Sequence, residues 1–237
     1  MRIAEQITQL RQDFVDVKQA GYTEGYEQGI ADGGNGVDFE KLQTFILAFF
    51  GGSLTEITEE DVLFICPTGS YINKQYAFSH LIHLTKVTFP YWENNGTGKI
   101  NFGYGNTFTG CTALKTFETK GSLFISSDCF KGCTKLSSFN VALNLDMNGN
   151  AQFGSCTSLT DFYVGGNITI TKNYSLGVSS SPLTKASILN ILEKVVAITD
   201  GETRTIQLGT TNLAKLTTAE DLELLDNVRH VKGYTVI

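Results

Sequence analysis

One ten-residue phrase occurs three times in the middle of the chain. It reads Phe-x-[Gly/Ser]-Cys-Thr-x-Leu-x-x-Phe and runs from Phe108 to Phe117, from Phe130 to Phe139 and from Phe153 to Phe162. The starts are 22 and 23 residues apart. A fixed period of this length marks a solenoid, in which each repeat forms one coil. A single coil cannot bury its apolar face, whereas stacked coils share a continuous core. The shared register predicts three internal stacks: Phe108, Phe130 and Phe153; Leu114, Leu136 and Leu159; and Phe117, Phe139 and Phe162.

Upstream, Phe78, Leu84 and Val87 keep the same offsets, with His80, Leu81 and Ile82 in place of Gly-Cys-Thr. This copy begins 30 residues before Phe108, and the polar segment 93–98 accounts for the extra length. A decayed copy starts near Leu176 and runs into Pro182-Leu183. Between the phrases, Ile100–Phe102, Leu123–Ile125, Leu143–Leu145 and Ile168–Ile170 alternate apolar and polar residues, the period of a strand with one buried face. A second strand follows each phrase, as in Phe139-Asn140-Val141 and Phe162-Tyr163-Val164. Stacking such strands sets successive coils about 5 Å apart.

Tyr76-Ala77-Phe78, followed by the recurring Phe-x-Gly-Cys-Thr-x-Leu-x-x-Phe, resembles the BspA-like leucine-rich repeats over about residues 54 to 183. The lead-in Leu54–Thr58 is similar to the entry coil of such arrays. Thr205–Gly209 and Asn212–Thr217 are similar to the end piece of phage-encoded members. The resemblance implies adhesion or recognition rather than chemistry, on surface proteins of gut and oral bacteria or on phages that infect them. The expected architecture is a mainly β leucine-rich-repeat solenoid over 54–183. Helical segments precede it at 1–36 and 37–53, and a small α/β cap follows at 184–237.

Charge and hydropathy narrow the function classes. A net charge of −6 disfavours a nucleic-acid partner, which calls for basic clusters. No apolar run reaches the 18 or so residues of a membrane span. Met1-Arg2-Ile3-Ala4-Glu5-Gln6 has no apolar stretch of the kind an export leader carries.

The first 33 residues are a different module. Ile3, Ile7, Leu10, Phe14 and Val17 step by 4, 3, 4 and 3, a heptad seam with polar residues between. Gly21, Gly25, Gly29 and Gly33 then recur every fourth residue, which on a helix makes one smooth face. Together they predict a homo-oligomer, with a trimer favoured by the β-branched and aromatic seam. With the resemblance to phage-encoded members, this segment is expected also to attach to other virion proteins. Residues 38–50 read as a helix that closes the open end of the coils, with Phe39, Leu42, Phe45, Ile46 and Phe49 as its apolar stripe. At the other end Pro182 and Thr184 open a helix through Val196, and a strand follows from Arg204 to Leu208. Thr217-x-x-Glu220 reads as a capping box, and Tyr234–Ile237 as a closing strand.

Cys111, Cys133 and Cys156 share one repeat position and so form an internal ladder. Disulfide or soft-metal chemistry is conceivable for such a ladder, but the period alone produces it, with Cys as a small apolar filler. Cys66 and Cys129 lie outside that position. His80 and His83 sit in a repeat turn, with only His230 elsewhere, which does not make a zinc set. No nucleophile elbow or Cys-His-Asp constellation is present. The expectation is therefore no catalytic residue, no metal and no cofactor.

One surface patch stands out. Tyr91 and Trp92 precede Asn94 and Asn95, a composition suited to carbohydrate or protein contact. The competing reading has Trp92 covering the core where the coil is irregular. Tyr104 with Asn106, and Tyr163 with Asn167, extend a lateral polar-aromatic face. Three function classes follow. The first is a phage virion component (short fibre, decoration or receptor-binding protein) that recognises a bacterial cell-surface protein or glycan. The second is a bacterial surface or secreted adhesin. The third is an enzyme, disfavoured because the repeats carry few acids: Glu118, Asp128, Asp146 and Asp161.

Overall fold

The structure, a computed structural model, describes residues 55–59, 78–91, 99–102, 105–150, 152–171 and 173–237. The heptad seam of Ile3, Ile7, Leu10, Phe14 and Val17, the glycine row, the 38–50 helix, Cys66, Trp92, Asn94, Asn95 and Tyr104 lie outside the described residues.

Each phrase ends in a strand: β2 (Lys86–Phe89), β4 (Thr116–Thr119), β6 (Ser138–Val141) and β8 (Asp161–Val164). With β1 (Glu56–Ile57) they form a five-stranded parallel sheet in the order β1-β2-β4-β6-β8. The linking segments give β3 (Lys99–Phe102), β5 (Ser122–Ser126), β7 (Leu145–Asn148) and β9 (Ile168–Ile170), a four-stranded parallel sheet in the order β3-β5-β7-β9. The register follows the repeat: Val87 pairs with Phe117, Phe117 with Phe139, and Phe139 with Phe162. The two short strands per repeat expected from the alternation are present. The third of the linking strands is displaced, beginning at Leu145 rather than Leu143. Leu145 pairs with Leu123 and is buried, whereas Leu143 is 39% exposed.

All three predicted stacks are inside. Phe78, Phe108, Phe130 and Phe153 lie ring on ring, with centroids 5.2, 5.4 and 5.5 Å apart. Phe117, Phe139 and Phe162 form a second ring stack at 5.3 and 5.1 Å. The strand spacing dictates these separations. The two stacks meet edge to face, as Phe117 does with Phe130 at 4.9 Å and Phe139 with Phe153 at 4.9 Å. Such pairs contribute about 0.5–1.5 kcal/mol each beyond their buried area. Leu84, Leu114, Leu136 and Leu159 fill the space between and are buried.

The turn inside each phrase explains its [Gly/Ser] position. That residue is left-handed in every copy: Gly110 at φ 75°, Gly132 at 77°, Ser155 at 62° and His80 at 59°. Glycine adopts this conformation without the steric cost an L side chain incurs. In the three clean copies the next residue is the ladder cysteine; after His80 it is Leu81. The Cys111 thiol donates to the Phe78 carbonyl, Cys133 to Phe108 and Cys156 to Phe130, each at 3.0–3.2 Å and each to the copy before.

Past β8 a helix takes over. Pro182 is followed by N-cap Thr184, whose hydroxyl accepts from the Ser187 N–H, and α1 runs Lys185–Lys194. It packs along the edge of β8 with Ile188, Ile191 and Leu192 buried. Its polar side chains serve that edge. Ser187 Oγ accepts from the Phe162 N–H at 2.9 Å, and Asn190 Oδ1 accepts from the Val164 N–H at 2.9 Å. The edge of β9 is covered as well. Val196 donates its N–H to the Ile168 carbonyl, and Arg204 Nε donates to that of Ile170.

The decayed copy near Leu176 does not continue either sheet. It becomes β10 (Ser175–Gly177), which pairs with β11 (Thr205–Gln207) and through it with β12 (Thr235–Val236) in a separate three-stranded parallel sheet. These last two strands are shorter than the sequence pattern suggests. A short helix α2 (Thr210–Leu213), α3 (Ala219–Asp226) and a π-helical turn (Asn227–Val231) complete the described chain. The capping box of α3 lies one residue later than expected, on Thr218 and Asp221 instead of Thr217 and Glu220. The reason is Asp221: its carboxylate accepts from the Thr217 and Thr218 N–H groups and pairs with Lys185 Nζ at 2.6 Å, tying α3 to α1. No described helix is long and apolar enough to cross a membrane.

Candidate recognition surface

Alternation along the strands sends every second residue of the five-stranded sheet outward. Parallel register then lines these residues up in rows. One row runs Glu56, Lys86, Thr116, Ser138, Asp161. The other runs Thr88, Glu118, Asn140, Tyr163. The first row begins with an ion pair, Lys86 Nζ to Glu56 Oε1 at 2.9 Å. In the second, Glu118 is held by Lys120 at 2.9 Å. Both are exposed pairs, worth about 0–1 kcal/mol, and they balance charge on the face rather than building a strong field.

The second row carries the unusual chemistry. Asn140 Oδ1 is buried and has no hydrogen-bond partner. A desolvated acceptor left unpaired costs about 1–3 kcal/mol. Beside it in register, Tyr163 is 52% exposed, an aromatic ring held on a strand whose backbone is fixed on both sides. The outward row of the four-stranded sheet runs Asn101, Phe124, Asp146, Thr169. It shares one of these features, an unpaired Asn101 Oδ1, but its aromatic residue, Phe124, is half-buried.

Of the residues expected to form the patch, Tyr91 is 47% exposed immediately after β2, and Tyr163 ends the outward row on β8. They therefore flank the same sheet at its first and last full-length strands. Asn106 does not extend this face. It is left-handed at φ 66° and accepts from Thr109 Oγ1 in the phrase turn, a structural role. Asn167 sits at the corner between the sheets, its N–H donated to Asn144 Oδ1. The contribution of Asn140 was not legible in sequence, because an outward asparagine in a strand looks like any solvated residue until its neighbours exclude water.

The four described cysteines are buried and unactivated. Burial pushes the Cys111 and Cys156 thiols up to about 12 and Cys129 up to about 11, and Cys133 is raised further by the thiols on either side of it. At these values the thiols stay protonated at neutral pH, and the thiol form is a poor nucleophile. All four are free and buried. Cys129 belongs to a ladder of its own, one residue before the phrase, with Thr107 and Gln152 in the same position. Among the described residues no group of three His, Cys, Asp or Glu side chains could hold a metal ion.

The family described as BspA type leucine rich repeat region (6 copies) matches residues 74–197, just over half of the chain. The match takes in the four phrase copies, the decayed copy at β10 and helix α1. No curated protein matches the chain, and no solved structure does.

Proposed function

The chain belongs to the BspA-type leucine-rich repeat family, and from that premise we propose that it is a non-enzymatic recognition protein. Its target is a bacterial cell-surface protein or glycan, bound through the outward face of the five-stranded sheet. The observation that carries this reading is Tyr163, 52% exposed on the outward row of the five-stranded sheet, with exposed Tyr91 at the far side of the same sheet. Tyr163 supplies contact area at low entropic cost. It sits on a backbone already ordered by its neighbours, so little freedom is lost on binding. Repeat families of this type are in general non-enzymatic.

The narrower reading is a phage virion component: a solenoid carried on a stalk. Residues 1–33, through Ile3, Ile7, Leu10, Phe14 and Val17, hold copies together as a trimer and meet other virion proteins. Several small lateral faces on one stalk gain avidity through effective concentration, which suits a repetitive cell surface. A bacterial adhesin would use the same face on a different carrier. The test is saturable binding of the fluorescently labelled full chain to a panel of bacterial cells, competed by unlabelled protein. Binding to none of them contradicts the proposal.

A further inference from the structure

A second surface, away from the repeat sheets, has the make-up of a ligand site. An open depression of about 400 Å³ lies where the last repeat turn meets the three-stranded sheet. Its floor is Ser175 and Thr205, neighbours in register on β10 and β11, with Gln207 beside them. Gln207 pairs in register with Gly177, which has no side chain, so space remains next to its amide. Tyr174 forms one wall, and Asn150 and Asn173 form the rim. None of the described lining residues carries a charge. The adjacent Arg204 is turned away, its guanidinium engaged by Asp200 at 2.8 and 2.6 Å and its Nε by the Ile170 carbonyl.

The two rim amides are engaged by their oxygen ends, Asn150 through two short bonds and Asn173 through one long contact of 3.5 Å. Asn150 Oδ1 accepts from both the N–H and the hydroxyl of Ser175, at 2.9 and 3.0 Å. Asn173 Oδ1 accepts from Thr203 Oγ1. In each case the oxygen holds the amide and the Nδ2 donors are the end left to present. The rim itself is braced: the Asn173 N–H donates to the Thr203 carbonyl and the Thr205 N–H to that of Tyr174.

We infer that this depression binds a neutral saccharide, one or two sugar rings held by the Asn150, Asn173 and Gln207 amides and the Thr203 and Thr205 hydroxyls against the Tyr174 ring. Sugar hydroxyls both donate and accept, and they match a lining whose described residues are amides, hydroxyls and one aromatic ring. An added peptide strand fits less well, because β11 is paired on both sides and the Ser175 N–H on β10 is already taken by Asn150. The inference does not depend on the repeat face. The two fail separately, since cell binding through Tyr163 can be lost with this site intact.

The experiment is nuclear magnetic resonance of the full chain, following backbone and side-chain amide signals during titration with glucose, galactose and N-acetylglucosamine. N-acetylneuraminic acid serves as the anionic comparison. The expected result is a saturable shift with at least one neutral sugar at the Asn150 and Asn173 side-chain amides and the 203–207 backbone. Thr203→Val and Gln207→Ala should each weaken it about tenfold, the loss of roughly one hydrogen bond. Thr203 is exposed, so its variant keeps the fold and secures the reading if Gln207→Ala does not. No saturable shift with any neutral sugar, shifts located elsewhere, or unchanged affinity in Thr203→Val overturns the proposal.

Discussion

Ser187 Oγ accepts the Phe162 N–H at 2.9 Å, and Ser187 stands where the next strand of the five-stranded sheet would place its partner for Phe162. Helix α1 therefore replaces a strand without leaving the β8 edge unpaired. Asn190 repeats the device two residues along, accepting from the Val164 N–H and donating to the Val164 carbonyl. An uncovered edge is a template for association with other chains. Ser187→Ala and Asn190→Ala should each cost about 1–3 kcal/mol, the penalty of a buried group left unpaired. Denaturant unfolding measures the loss, and size-exclusion chromatography of the double variant should show added self-association.

The phrase turn makes a sharper test of the repeat geometry. A Cβ added at Gly132 meets nothing closer than Gly110 at 3.7 Å, so space is not the obstacle. Its φ of 77° is. Gly132→Ala should destabilise by about 1–2 kcal/mol, the cost of an L residue in the left-handed region. Leu136→Ala, in the core, should cost about 2–5 kcal/mol. Leu143→Ala, on the surface, should stay within about 0.5 kcal/mol.

The thiols set the alkaline limit. Their native values, about 11 for Cys129 and about 12 for Cys111 and Cys156, lie above the ordinary value of 9.0 because burial opposes the thiolate. An acid whose native value is raised stabilises the fold below its unfolded value, and that contribution is lost as pH rises. Stability should therefore decline between about pH 9 and 12. A disulfide reagent at pH 8 should find these three thiols and that of Cys133 unreactive in the native protein and reactive after denaturation.

At the acid end Asp221, buried at the junction of α3 and α1, is one contributor. The Lys185 ammonium, followed by the Thr218 and Thr217 N–H groups, holds its carboxyl down to about 2, against an ordinary 3.8. A lowered acid stabilises above its unfolded value and loses that contribution as pH falls toward the native one. Unfolding monitored between pH 4 and 2 should show this loss, and Asp221→Asn should flatten it.

Much of the interior could be read from spacing alone, because Phe and Leu at fixed offsets in parallel strands can only stack. The displaced strand at Leu145 was within reach of the same logic: Leu145 lies 22 residues after Leu123, the repeat period, whereas Leu143 does not. The capping box was not. Thr217-x-x-Glu220 and Thr218-x-x-Asp221 are equivalent in sequence, and the choice between them is made by Lys185, 36 residues away in the chain from Asp221. The edge role of Ser187 and Asn190 was hidden for a similar reason, since polar residues on an amphipathic helix read as solvent-facing. On the candidate recognition face, the aromatic Tyr163 announced itself, but the buried unpaired oxygen of Asn140 depends on what packs around it.

Tyr163 gives the most direct test of the recognition proposal. Its side chain is 52% exposed, so Tyr163→Ala should leave stability within about 0.5 kcal/mol. If Tyr163 is held for a partner, the same variant should lose about tenfold or more in affinity for bacterial cells. Binding and unfolding measured on the same preparation decide the matter. Weakened binding with undiminished stability is the predicted result. Undiminished binding by Tyr163→Ala, or by Tyr163→Ala combined with Tyr91→Ala, contradicts the account and moves recognition off this face.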